Sequence, residues 1–399
     1  MKRFLKTMGI FLCLLICFIS GCNKNTSEEI SSNRVIFFRD GGTYSESYAL
    51  FTNSGPRCYY DVESGNEGPY CFEAGCEHKR SVHNDNDEVI QQGCLAYDYT
   101  DYPIFLCGDY LYFFSSRSLY RADRKGNNRE KLAELTSPYE LNGTCCYYTQ
   151  EAFYIAYTMS YEYSLVENSD GVSGWRTGAR REKPEAGVLR IPFSGSKEEV
   201  IYHSDKQYEM QVVEFWSYDG HVLFMLQSMD RPGNFVDLKE DNWQELVEEE
   251  RRHTFLEVYD YSVSSGEVKR LVEPRSNIGI YFFSEVYGIA EKEPGSLELF
   301  NYNGDRVALT EGTLMFGISS DRGIFGWDND TGEGVMLDEK NGKIVKRSPF
   351  TINDFSISVI VGKSCFGYVH DSEGNYVRAW ISTDDFWTGN KSGIRVFPK

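Results

Sequence analysis

DYLYFFSSRSLYRADRKGNNREKLAEL, residues 109–135, holds three short extended segments in a row. Leu111-Tyr112-Phe113 and Leu119-Tyr120-Arg121 carry the period-two alternation of half-buried strands. Lys125-Gly126-Asn127 supplies the turn between the second and third segments, because glycine enters left-handed backbone at no steric cost. The pattern recurs along the chain. VYDYSVSSGEVKRLV (258–272), LELFNYNGDRVALT (297–310) and VMLDEKNGKIVKR (335–347) each pair two strands around a glycine turn. GVLRIPFSGSKEEVIY (187–202) and CYYDVESGNEGPYC (58–71) do the same.

Units of this kind begin near Arg34, Ile104, Glu140, Gln211, Asn277, Thr313 and Ile352. A strand repeat of roughly 40 residues or more is the signature of propeller blades. The chain therefore reads as all-β: a β-propeller of about seven four-stranded blades, with six or eight as the neighbouring counts. No WD or kelch consensus is present. SGIRVF (392–397) is placed to pair with RVIFF (34–38), which would close the ring and remove its exposed edges. The composition agrees: 28 Tyr, 26 Phe and 36 Gly favour strands and tight turns over helices.

The N-terminus speaks to address. Lys2, Arg3 and Lys6 precede an apolar run, MGIFLCLLICFI (8–19), too short to span a bilayer comfortably but suited to a signal peptide. Ile19-Ser20-Gly21-Cys22 then resembles the lipobox of bacterial lipoproteins. The expectation is a signal peptide over 1–21, a lipidated Cys22 with a polar tether over 22–33, and one propeller domain over 34–399. Two acyl chains on Cys22 would anchor the domain stably at the outer face of the cell membrane. The formal net charge of −19 repels phosphate backbones, which argues against nucleic acid as a partner.

Lipobox, strand-hairpin repeat and a Cys-rich loop after the first unit together resemble the lipid-anchored β-propeller lipoproteins of bacteria. The resemblance covers most of the chain. It implies the fold and an extracytoplasmic location, and it implies no reaction.

Three long insertions interrupt the units. In a propeller the strands of a blade alternate in direction, so the b–c loops and the d–a links between blades emerge on one face. The link over 71–103 and the b–c insertions over 160–186 and 229–252 should therefore share a rim. The second insertion carries Trp175, Arg176, Arg180 and Arg181. Trp stacks on sugars and Arg forks onto oxyanions, so these residues suit an anionic or glycan ligand. The same arginines can instead pair with Glu162, Glu182 or Glu185 on a solvated loop. The third insertion contains NWQELVEEERRH (242–253), a short helix with Asn242 and Glu245 at capping-box spacing.

Eleven cysteines are present; Cys13, Cys17 and Cys22 belong to the N-terminal segment, which leaves eight. Cys71, Cys76 and Cys94, with His78, make a Cys3His set that suits structural zinc. Disulfides among Cys71, Cys76, Cys94 and Cys58 are the competing reading. His83, Asp85 and Asp87 are weaker candidates: the acidic pair lacks the glycine and closing glutamate of a calcium loop. Cys107, Cys145, Cys146 and Cys365 sit in apolar strand contexts and read as buried thiols.

Catalytic signatures are scarce. SSDRGIFGW (319–327) approaches a sialidase Asp box, but the Thr is missing and Trp327 falls one place late. GxSxG, HExxH and phosphate-cradling loops do not occur. His203, His221, His253 and His370 stand singly beside turns. The expected function is that of a membrane-anchored binding protein of the bacterial envelope, with an envelope protein, peptide or glycan as ligand. The alternative is a carbohydrate-active hydrolase with paired carboxylates in the central pocket.

Overall fold

Seven four-stranded antiparallel sheets follow one another in a computed structural model of the chain, each adding its strands in sequence order. The structure describes residues 35–397 apart from short stretches, chiefly 53–56, 84–88, 98–103, 168–172, 181–184, 205–209 and 232–242. Residues 1–34, with the expected signal peptide, Cys22 and the expected tether, lie outside the described residues. Strands a to d of blade 1 are Gly42–Ser45, Tyr48–Thr52, Arg57–Asp61 and Glu67–Pro69. The a strands of blades 2 to 7 are Ile104–Cys107, Glu140–Tyr148, Met210–Tyr218, Gly279–Phe282, Leu314–Met315 and Ser356–Val361. The chain is a seven-bladed β-propeller, as the repeat predicts.

The core lies between blades. In strand Ala152–Thr158 of blade 3, Phe153, Ile155 and Tyr157 join the cluster with Phe105 and Tyr112 of blade 2. Tyr154 and Ala156 join the cluster with Phe224 and Tyr261 of blade 4. Residues 152 to 157 are all at most 1% exposed. A strand buried on both faces has no solvent side, so it reads as a continuous apolar run rather than an alternation.

The c–d turns repeat one device. Asp61, Asp123, Asn301 and Asp338 accept backbone N–H groups of the turn through Oδ1. Glycines 65, 126, 266, 304 and 342 take the positive φ each turn needs. Gly342 is the constrained case: at φ +69°, a Cβ there would lie 2.5 Å from the Leu309 carbonyl oxygen of blade 5. The residue after the turn's first position reaches toward the preceding blade. Glu339 accepts the Ser284 N–H at 3.0 Å, the Ser284 hydroxyl at 2.8 Å and the Glu285 N–H at 3.2 Å, which ties blade 6 to blade 5. Tyr302 stacks on Tyr218 of blade 4 with centroids 4.2 Å apart.

The ring closes differently from expectation. Arg395–Val396 is the outer strand of blade 7 and pairs with Tyr376–Ser382, not with Val35–Arg39. Blades 7 and 1 meet through side chains instead. Phe397 packs on Phe51 at 4.1 Å, Tyr60 on Trp380 at 4.4 Å and Tyr44 on Phe366 at 5.2 Å, and Arg378 donates to the Tyr44 hydroxyl at 2.8 Å. RVIFF is not the first blade strand either. Val35–Arg39 forms a fifth, innermost strand antiparallel to Gly42–Ser45. It also runs beside the a strands of blades 3 and 7, which places it on the propeller axis. Ser319–Ser320 adds a second inner strand, parallel to the a strand of blade 7.

Two helices complete the described residues. Trp243–His253 lies in the b–c insertion of blade 4, where the sequence predicts it; Asn242 lies outside the described residues. Thr383–Thr388 replaces the c–d turn of blade 7, capped by Ser382, and buries Phe386 against Phe325, Trp327 and Phe350. No helix among the described residues is long and apolar enough to cross a membrane.

Candidate metal centre

The link between blades 1 and 2 gathers Cys71, Cys76, His78 and Cys94, with their ligand atoms all within 4.8 Å of one another. Local backbone chemistry builds the cluster. The Cys71 N–H bonds to the Pro69 carbonyl at 2.7 Å, directly after the last strand of blade 1. Gly75 at φ +77° and His78 at φ +49° then turn the chain back. Left-handed backbone is costly for histidine, and such strain collects where surrounding structure fixes a functional group. The Cys94 N–H bonds to the Lys79 carbonyl at 2.8 Å, which brings the distant cysteine to the first three. A 3-10 turn, Leu95–Tyr97, follows, and its Ala96 N–H donates to Cys94 Sγ at 3.4 Å.

His78 Nδ1 lies 3.4 Å from Cys94 Sγ. Tetrahedral zinc, with bonds of ~2.3 Å to sulfur, separates its sulfurs by about 3.8 Å. The four side chains thus sit at nearly the spacing an ion demands. Cys94 is 5% exposed, and the other three are half-buried. Burial pushes the Cys94 thiol up to about 12; Cys71 and Cys76 add to the rise and the Ala96 N–H opposes it. A divalent cation inverts that logic, since ligating thiols are deprotonated outright. The Cys3His group can hold a metal ion.

None of Cys58, Cys71, Cys76 and Cys94 is joined in a disulfide in the structure, and Cys58 packs with Phe51 and Tyr60 in a core cluster. Cys146 and Cys365 are buried thiols as expected, while Cys107 and Cys145 lie on strands. His83 falls on the small Val82–His83 strand, and Asp85 and Asp87 lie outside the described residues.

The other predicted group occupies a separate hairpin, Tyr161–Glu167 with Ser173–Arg180, inserted in blade 3. In its register Trp175 faces Leu165 across the ladder, Arg176 faces Ser164 and Arg180 faces Tyr161. Arg181 lies outside the described residues. The metal cluster, this hairpin and the helix all fall on the face of b–c loops and d–a links, as blade topology requires.

The same face carries a cleft that the sequence does not announce. It has a volume of about 510 Å³ and runs beside the helix between blades 4 and 5, lined by Gln227, Val247, Glu248, Arg251, Asn277 and Glu291. Its walls come from residues far apart in the chain, so no motif marks it. The four histidines sit on strands or, for His253, at the end of the helix, rather than in turns. His203 meets the Tyr157 hydroxyl at 2.8 Å, His221 meets Asp260 at 2.8 Å, and His253 meets Asp230 at 2.9 Å.

No family model matches the chain, and no curated protein matches it by sequence. Several solved structures are similar in fold. An oligogalacturonate lyase in complex with manganese superimposes with a TM-score of 0.45 and 13% identity over 90% of each chain. A puromycin-hydrolyzing peptidase of Mycobacterium tuberculosis gives 0.43 and 10% identity over 94% of this chain and 55% of its own. The dipeptidyl peptidase 4 of Porphyromonas gingivalis gives 0.43 and 10% over 90% and 54%. The chain thus spans about half the length of either peptidase. At such identities the likeness is one of fold.

Proposed function

We propose that this protein is an extracytoplasmic, lipid-anchored binding propeller of the bacterial envelope, with the insertion-bearing face as its contact surface. The observation that carries the reading is topological. All three long insertions fall on one face, while strand Val35–Arg39 takes the axial space that an active-site pocket would use. The occupied axis weighs against a hydrolase with carboxylates in a central funnel. Zinc is the ion proposed for Cys71, Cys76, His78 and Cys94, because three thiolates and an imidazole form a soft, closed set that manganese and calcium do not favour. With all four positions filled by protein, the ion would fix the link at the rim and leave no coordination site for a substrate.

The test uses the purified full chain on a panel of defined peptidoglycan fragments, polysaccharides and peptides. Expected is saturable binding that falls at least tenfold when Trp175, Arg176 and Arg180 are changed together to Ala, with the circular dichroism spectrum unchanged. Release of new reducing ends from the same polysaccharides would favour the hydrolase instead. Binding that survives the triple change would move the contact surface off the hairpin. The mass of the N-terminal tryptic peptide reports the diacylglyceryl group on Cys22, and an unmodified peptide would refute the anchor.

A further inference from the structure

The cleft beside helix Trp243–His253 combines an apolar lining with loosely held acids. Val247 and Arg251 stand four residues apart on the helix, and Glu248 and Arg251 three apart, so one helix face supplies all three to the cleft. Leu256 of strand Thr254–Ser262 and Ile278, just before the first strand of blade 5, join Val247 as its apolar lining. Both pack against the core cluster that holds Trp216 and Leu223, which fixes them in place. Glu291, directly after strand Val286–Ala290 of blade 5, brings a carboxylate from a different blade. The volume of about 510 Å³ falls within the range of small-ligand sites.

The acids of the cleft are unequally engaged. Glu250 accepts from Arg231 at 2.9 Å. Glu248 lies 3.8 Å from Arg251, and Glu291 lies 3.5 Å from Arg275, contacts too loose to saturate either carboxylate. We infer that this cleft binds a primary ammonium on an aliphatic stem, as carried by a lysine side chain or a linear diamine. The stem lies on Val247, Leu256 and Ile278, as lysine stems cover apolar surface. The ammonium has three donors and gives charge-assisted bonds to Glu248 and Glu291. Other ligand classes fit less well. An anion would meet three lining carboxylates against the one guanidinium of Arg251. A neutral apolar ligand would strip water from the carboxylates and return no hydrogen bond. The net charge of −19 adds long-range attraction for a cation. The inference rests on the insertion-bearing face being a contact surface, as proposed above, and needs neither the lipid anchor nor the metal.

The test is calorimetric titration of the purified full chain with three probes: N-acetyl-lysinamide, 1,5-diaminopentane, and N-acetyl-norleucinamide, which keeps the lysine stem and lacks the charge. For a ligand of about 13 heavy atoms, ordinary ligand efficiency gives a Kd of about 1 mM. N-acetyl-lysinamide is expected to saturate near that value, with N-acetyl-norleucinamide at least tenfold weaker. Glu248→Gln with Glu291→Gln should weaken the lysine probe at least tenfold; both side chains are partly exposed, and an unchanged circular dichroism spectrum confirms the fold. Val247→Trp, which fills the cleft and keeps its charges, should abolish binding as well. Tighter binding of the diamine than of the lysine probe identifies a free amine as the ligand, and the reverse order identifies a peptide side chain; either upholds the inference. Equal binding of the lysine and norleucine probes would overturn it, as would lysine binding that survives both variants, or no saturation at ten times the expected Kd. The Trp175, Arg176 and Arg180 triple change separates this site from the hairpin. Amine binding that persists in that variant upholds the cleft even if the hairpin binds none of the panel ligands. Amine binding lost with the hairpin would overturn the cleft and leave the contact surface standing.

Discussion

Phe397→Ala tests how the ring is held shut. Without a shared strand between first and last blades, closure rests on side-chain contacts, and Phe397 is central to them. It is 3% exposed, lies 4.1 Å from Phe51 and meets Tyr60 edge-on at 6.2 Å. Its N–H bonds to the Arg378 carbonyl at 3.0 Å, an anchor that the alanine variant keeps. The change therefore isolates the ring of Phe397 from its backbone. Truncating a buried Phe to Ala costs about 3–5 kcal/mol, and the low end applies where neighbouring side chains can relax into the space. The ring comprises about 365 residues, so its unfolding entropy is ~0.8 kcal/mol/K. A loss of ~3–4 kcal/mol then lowers Tm by about 4–5 °C. Calorimetry reads the shift, and hydrogen exchange shows where it acts. Faster exchange should be confined to the outer strands of blade 7 and to blade 1. A Tm drop under about 1 °C, or a uniform rise in exchange, would refute closure by these contacts.

Further outcomes follow from single residues. Cys94→Ser should abolish metal retention measured by elemental analysis of the purified chain and raise exchange across residues 71–97; retained stoichiometric metal would refute the four-ligand site. Gly342→Ala, with its Cβ 2.5 Å from the Leu309 carbonyl, should cost at least about 1 kcal/mol more than Gly304→Ala, which meets nothing within 4 Å; equal denaturation midpoints would contradict the cross-blade contact. The Arg347 hydrogen bond at 2.7 Å holds the Asp328 carboxyl below the usual carboxylate range, against the opposing effect of burial. A depressed acid contributes stability above its unfolded value, and that contribution fades as pH falls through the folded value. The Tm gap between wild type and Asp328→Asn should be full above about pH 4 and close below it; a pH-independent gap would refute the pairing. Burial raises the Glu339 carboxyl, with the Ser284 and Glu285 donors only partly offsetting the rise. A raised acid contributes most below its unfolded value and loses that contribution as pH rises, so Glu339→Gln should gain Tm relative to wild type between about pH 4 and pH 7. A flat difference would count against burial as the cause.

The repeat was legible because blade ends are local chemistry. The c–d turns of blades 1, 2 and 6 use an Asp to accept their N–H groups and a glycine at positive φ, and both are visible in DVESGN, DRKGNN and DEKNGK. The Cys3His set was legible as a list of residues but not as a site. Cys94 reaches the other three only through the Lys79 carbonyl and a left-handed His78, which spacing does not encode. The cleft beside the helix was illegible, because its walls join blades 4 and 5.

By itself the sequence determined what hydrogen bonds and periodicity fix within about forty residues: strand hairpins, the short helix and the residue types able to bind metal, while the count of seven blades was fixed by the sheets of the structure. Tertiary structure alone decided what depends on distant segments meeting. RVIFF and SGIRVF look equally ready to pair with each other, since both offer free strand edges of matching pattern. The ring instead gives each its nearest sheet: the axial edge of blade 1 for one and the outer edge of blade 7 for the other. Adjacent segments pair with little loop-closure entropy, whereas joining the two ends of the chain must offset the ordering of everything between them. That preference leaves closure to aromatic side chains and puts a strand on the axis.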